Sequence, residues 1–169
     1  EATVAPNGRW IVFTSQRGGD IDLWRVDVDG SNLIRLTEEA GYDGGAVFSP
    51  DGRSIVWRTN HPRGAEATAR YRELLGQQLV EPMEMDLWVM DADGRNKRRL
   101  TRLAGAAFAP IFTPDGRSVV FSSNHHDRAG KGRTFDLFKI DLDGSGLEQV
   151  TFVGSFNSFP HFSPDGAKL

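Results

Sequence analysis

The 169-residue chain has no cysteine, so a disulfide framework, a cysteine-ligated zinc and a thiol nucleophile are all excluded. Such a chain suits an oxidising or a reducing compartment equally, and composition leaves the compartment open. Long apolar runs are also missing. Nothing approaches the roughly eighteen consecutive apolar residues that span a bilayer, and Glu1 to Val4 lack the basic and apolar regions of a signal peptide. The expectation is a soluble chain without membrane insertion, any export signal removed or never present. A strong charge of one sign is the third absence. The formal net charge of -3 and a pI near 5.8 give no sequence-independent drive toward nucleic acid or an anionic membrane surface, so neither is a default partner.

Turn chemistry is plentiful. Nineteen glycines and eight prolines punctuate short apolar bursts, a pattern of many short strands joined by tight turns and hence of an all-β class. One phrase recurs four times, as Ala5-Pro6-Asn7-Gly8, Ser49-Pro50-Asp51-Gly52, Thr113-Pro114-Asp115-Gly116 and Ser163-Pro164-Asp165-Gly166. Between the copies lie Asp27-Val28-Asp29-Gly30, Asp91-Ala92-Asp93-Gly94 and Asp141-Leu142-Asp143-Gly144. Leu36-Thr37, Leu100-Thr101 and Val150-Thr151 close the units.

The spacing is regular except in one place. The second glycine precedes the closing threonine by 7 residues, and that threonine precedes the next Pro-Asp-Gly glycine by 15, in every copy. Only the interval from the first glycine to the second varies, being 22, 42 and 28 residues. Insertion confined to a single loop is how a repeat with one free face behaves. In the first phrase proline presets φ, aspartate follows it, and glycine takes the positive φ that lets two strands reverse. Bursts such as Trp10-Ile11-Val12-Phe13, Ile55-Val56-Trp57 and Val119-Val120-Phe121, then Leu23-Trp24, Leu87-Trp88 and Leu137-Phe138, read as buried strands. Each unit thus predicts four antiparallel strands. The reading is a partial β-propeller: three four-stranded blades at about 1–37, 45–101 and 108–151, the start of a fourth at 158–169, and a short helical insertion in the second blade.

These phrases resemble the TolB-type propeller repeat, carried here by Phe48 to Trp57, Phe112 to Phe121, Phe162 to Gly166 and the strands leading into Asp91 to Gly94. The resemblance implies the fold. Similar repeats are found in the TolB protein itself, in non-catalytic propellers of prolyl-oligopeptidase-like and tricorn-like peptidases, in some oligogalacturonate lyases and in many uncharacterised proteins, so the resemblance does not specify the function. It also leans toward an exported, periplasmic bacterial protein. Closed propellers of this kind hold more blades than three, and an open array leaves pairing edges exposed. The chain is therefore read as a piece of a longer protein, with a self-dimer that completes the ring as the alternative.

Residues present in every copy are explained by the blade, so functional residues are sought where the repeat breaks. The Asp-x-Asp-Gly phrases lack the remaining ligands of a calcium loop and read as turns. Asp22, Asp86 and Asp136 recur before Leu-aromatic pairs and read as structural, bonding a neighbouring strand or turn. His61 and His125 follow an asparagine where the first blade has Gln16-Arg17, and are expected in solvated loops. His125-His126-Asp127 is too short a signal for a metal site. The run Arg95, Lys97, Arg98, Arg99, Arg102 reads as a solvated edge. On the innermost strand, by analogy with related propellers, Asp43, Asn157 and His161 are candidate polar groups facing a ligand in the channel. The insertion from about Glu66 to Gln78 predicts an amphipathic helix, with Tyr71, Leu74, Leu75 and Leu79 on one face, a Glu66–Arg70 pair, and Pro82 as its stop. That apolar face must cover its own propeller, dock a partner or cap the channel.

No nucleophile elbow, His-Glu-x-x-His motif or phosphate-cradling glycine loop is present. The chain is expected to be a non-catalytic binding module, with no cofactor or metal, that engages a protein partner or small ligand on the propeller face. A substrate-gating propeller of a larger serine peptidase is the alternative, and a metal-dependent polysaccharide lyase using His161 is the third reading.

Overall fold

The structure, a computed structural model, describes residues 1–81, 84–127 and 132–169. Each β-branched and aromatic burst is a strand. The first sheet comprises β1 (Ala2–Val4), β2 (Trp10–Ser15), β3 (Asp22–Asp27) and β4 (Ile34–Arg35), antiparallel and in chain order. The second comprises β5 (Tyr42–Phe48), β6 (Ser54–Asn60), β7 (Asp86–Asp91) and β8 (Arg98–Arg99). The third comprises β9 (Ala107–Phe112), β10 (Ser118–Ser123), β11 (Asp136–Asp141) and β12 (Glu148–Gln149). Successive four-stranded sheets of this order are propeller blades, and β5 touches both β1 and β9, so the first strands of neighbouring blades adjoin.

The turns take the geometry their residues demand. Gly52 N–H donates to Ser49 O at 2.8 Å, while Asp51 accepts from Ser49 Oγ at 2.6 Å and Arg53 N–H at 3.0 Å. The Ser49 hydroxyl bond holds the Asp51 carboxyl below its ordinary value. φ at Gly8, Gly52, Gly116 and Gly166 is 67°, 70°, 69° and 70°, a region that disfavours any Cβ. The Asp-x-Asp-Gly phrases are turns as well, with Gly94 N–H donating to Asp91 O at 2.9 Å.

The core lies between blades. Val12, Leu23 and Leu36 of the first pack on Phe48, Ile55, Trp57 and Met90 of the second. Val56, Leu87 and Leu100 of the second pack on Phe112, Val119, Phe121, Phe138 and Ile140 of the third. Strand alternation places consecutive residues such as Ile55 and Val56 in opposite seams, which is why the central strands read as continuous apolar bursts. A backbone bond joins each blade to the next: Asp43 N–H to Ile21 O at 2.9 Å and Ala107 N–H to Met85 O at 2.8 Å.

Residues 156–166 repeat this placement beyond the third blade. Asn157 N–H donates to Phe135 O at 2.8 Å, and a Cβ on Gly166 would lie 2.9 Å from Pro114. The position of a fourth blade's first strand is thereby filled by this chain itself.

The insertion forms α1 (Ala65–Gly76). Gly64, at φ 86°, opens it without a side-chain cap, and Gln78, at φ 60°, ends it as Leu79 N–H turns back to Leu74 O at 2.9 Å. The helix is therefore shorter than its apolar spacing predicts, and the expected stop, Pro82, lies outside the described residues. Leu79, beyond the helical end, is 53% exposed and is not on the buried face.

Candidate binding site at the seam of the first two blades

A polar staple repeats in all three blades. Leu23, Leu87 and Leu137 N–H donate to the hydroxyls of Thr37, Thr101 and Thr151 at 2.9, 2.8 and 2.9 Å. Those hydroxyls in turn reach Asp22, Asp86 and Asp136 at 3.4, 2.9 and 2.9 Å. The second carboxylate oxygen takes Arg35 at 2.6 Å in the first blade, Arg99 in the second and Gln149 at 3.2 Å in the third. These aspartates join the start of each third strand to the end of its fourth, the structural role expected of them. Burial pushes the Asp22 carboxyl up, against the opposing pull of Arg35. Arg99 is held in the staple, unlike a solvated edge residue.

The second blade departs from the repeat at two adjoining places. Asp43 on β5 is fully buried, accepting from Trp57 Nε1 at 2.7 Å and lying 3.3 Å from His61 Nε2. His61 Nε2 is also 2.8 Å from Thr59 Oγ1, and His61 Nδ1 is 2.9 Å from Glu39 Oε2. Both ring nitrogens therefore face carboxylate oxygens, an arrangement that favours the doubly protonated ring. Burial pulls the imidazole pKa down, but the Asp43 hydrogen bond and the charges of Asp43, Glu39 and Asp20 outweigh it, leaving His61 above the usual histidine value. His61 is a clamp between blades, which corrects the expectation of a solvated loop histidine: its loop folds back over Trp88, with ring centroids 5.9 Å apart.

The second departure is α1. Tyr71 and Leu74 are buried, and the Tyr71 hydroxyl reaches Gly41 O at 2.7 Å and the Asp20 carboxylate of the first blade. Burial and the neighbouring Asp20 raise the Tyr71 phenol, which stays protonated as the donor. Asp20 also accepts from Ile21 N–H at 2.8 Å and Gly41 N–H at 3.1 Å, so one carboxylate ties the helix, the first blade and the connection between blades. The helix covers its own propeller. Leu75 is half-buried, and Arg70 pairs with Glu81 at 2.9 Å and Glu73 at 3.3 Å in place of the expected Glu66.

Two cavities adjoin here. One of about 570 Å³ runs beneath α1, among Tyr71, Leu74, Arg63, Val80, Trp88 and His61. A second of about 390 Å³ lies over the blade seam, among Thr37, Glu39, Asp43, Trp57, Trp88 and His61. His61 and Trp88 line both. Of the sequence-derived candidates, Asp43 and Tyr71 converge on this seam. Asn157 instead bonds Asp136 Oδ1 at 3.1 Å in the third blade, and His161 is exposed in the fourth repeat. His126 Nε2 is 3.0 Å from Asp136, and the His125 ring lies against Phe138 with centroids 4.3 Å apart and planes tilted by 57°. Among the described residues no group of three or more His, Asp or Glu is arranged to hold a metal ion. Sequence reasoning missed Glu39, Asp20, Trp57 and Trp88. The available signal was Asp43 beside His61 in one blade, where the third blade pairs Ala107 with His125.

Residues 72–169 match the TolB beta propeller domain family. An uncharacterized protein of Agrobacterium fabrum is 29% identical over 168 residues, covering 96% of this chain and 50% of that protein. The Tol-Pal system protein TolB of Francisella tularensis subsp. mediasiatica is 25% identical over 188 residues, covering 95% of this chain and 42% of that one. The crystal structure of TolB from Acinetobacter baumannii superposes with a TM-score of 0.69 at 23% identity, over 98% of this chain and 35% of that one, a likeness of fold. The chain spans half or less of the length of these relatives.

Proposed function

The chain belongs to the TolB β-propeller domain family, and on that premise we propose that it is a non-catalytic binding module of a bacterial, periplasmic protein. Its binding surface is the cleft between α1 and the seam of the first two blades, and its partner is a protein segment. The observation that carries the reading is the insertion: the largest break in the repeat is a helix anchored by Tyr71 across two blades and undercut by a cavity of about 570 Å³. A groove walled by Tyr71, Leu74, Val80 and Trp88, with Arg63 and Glu84 at its rim, offers apolar contact with charges to set register. Membership in a family that includes a Tol-Pal system protein supports a protein partner. His61, a titratable group lining the cavity, has both ring nitrogens against carboxylates, an arrangement that supports binding over acid–base chemistry.

The test is selection of a random displayed-peptide library on the immobilised chain. Enriched sequences should lose binding to a variant whose residues 64–81 are replaced by a short glycine-serine loop, and weaken on Trp88→Ala. Peptides that bind the loop-replaced variant equally well would place the surface elsewhere.

A further inference from the structure

The polar groups at the seam are unequal in their freedom to move. Asp43 is fully buried on β5 and keeps Trp57 as a second partner. Glu39 sits on the connection between blades with its side chain 70% exposed and holds no side-chain partner but His61 among the described residues. Gly41, two residues on, is fixed by Tyr71 and Asp20. Glu39 is thus a short rim segment fastened at one end by the backbone and at its tip by one imidazole.

The same imidazole lines both cavities, and Glu39 lines the smaller. We propose that His61 is a proton-operated latch on the cleft: charged, it holds Glu39 over the smaller cavity, and neutral, it releases Glu39 and opens that cavity toward the groove beneath α1. The reason is the bonding of a neutral ring. One nitrogen must then present a lone pair to a carboxylate. Nε2 faces both buried Asp43 at 3.3 Å and the Thr59 hydroxyl at 2.8 Å, and Asp43 cannot turn to water, so the Nε2 hydrogen is kept, the lone pair falls at Nδ1 and it repels Glu39 into water. Glu38, Lys97 and Arg35 surround the smaller cavity, with Arg35 engaged by Asp22. Around the larger, Arg70 is engaged by Glu81 and Arg99 by Asp86, leaving Arg63 and Glu84 at the rim. Asp20, the remaining carboxylate that acts on His61, is held by backbone N–H groups and Tyr71. The open state would expose the faces of Trp57 and Trp88, extending the groove by an aromatic pocket suited to an apolar side chain of the bound segment.

This inference rests on the cleft being the binding surface, yet its test needs no ligand. On the free chain, the His61 ring resonances are followed by NMR against pH, together with acrylamide quenching of tryptophan fluorescence. His61 is expected to titrate above about 6.5, with quenching rising at the same midpoint. Glu39→Gln, at an exposed position that leaves folding intact, should lower the His61 midpoint and give high quenching at every pH. His61→Gln should likewise abolish the pH dependence. A His61 midpoint at or below the free value, quenching indifferent to its titration, or a midpoint unmoved by Glu39→Gln would overturn the latch. Those failures leave the peptide selection untouched, and a failed selection leaves the titration untouched.

Discussion

Replacing Thr101 by valine tests the staple that recurs in each blade. Thr101 is buried, its hydroxyl accepting from Leu87 N–H at 2.8 Å and donating to Asp86 at 2.9 Å. Valine preserves the shape and removes both bonds. Stranding a buried N–H costs about 1–3 kcal/mol, and a bond to a carboxylate contributes about 1.5–3 kcal/mol, of which Asp86 recovers part through Arg99. The expected loss is about 3 kcal/mol, or about 6–12 °C in Tm for a chain of this size. The repeat supplies internal controls. Thr37 is as deeply buried but sits 3.4 Å from Asp22, so Thr37→Val should cost less. Thr151 is half-buried, and water can replace its hydroxyl, so Thr151→Val should cost least. Urea unfolding followed by circular dichroism gives the three values. Equal losses at all three positions, or a loss below about 0.5 kcal/mol at Thr101, would refute the assignment of the staple's stability to buried hydrogen bonds.

Three further outcomes are expected. Gly30 and Gly94 share a positive φ of 87° and 91°, but a Cβ on Gly94 would stand 3.1 Å from Leu36 while Gly30 faces open space. Gly94→Ala should therefore unfold more easily than Gly30→Ala by about 1 kcal/mol from overpacking, and equal values would deny that Leu36 meets the next blade there. Tyr71→Phe removes only the hydroxyl that ties α1 to Gly41 and Asp20. It should cost about 0.5–1.5 kcal/mol and speed amide hydrogen exchange in residues 65–76 and 38–41; unchanged exchange would mean that the apolar face alone docks the helix. His61 has a raised pKa in the folded chain, so its contribution to stability is fully present below the unfolded value of about 6.5 and is lost as pH rises through the higher folded one. Urea midpoints should fall over that window for the wild-type chain and stay flatter for His61→Gln, and parallel curves would remove His61 from the account.

Local chemistry alone determined the strands, the turns and the count of blades. Pro-Asp-Gly and Asp-x-Asp-Gly specify reversals through φ and side-chain caps within a few residues, so the three sheets follow from spacing. The staple aspartates were legible for the same reason, being present in every copy. The site was only partly so. Asp43 and Tyr71 could be singled out because they break the repeat, but the partners Trp57 and His61 of the one and Gly41 and Asp20 of the other lie 14, 18, 30 and 51 residues away. For His61 the partner at 22 residues is Glu39, and no pattern along the chain marks that distance. Leu79 shows the converse. Its helical spacing suggested a buried face, yet the left-handed turn at Gln78 carried it into solvent. Short-range residues choose turns and strands because the deciding contacts are neighbours in sequence. The protonation of His61, the anchoring of α1 and the cleft between them depend on burial and on charges brought together across a seam, which arise only when one blade packs on the next.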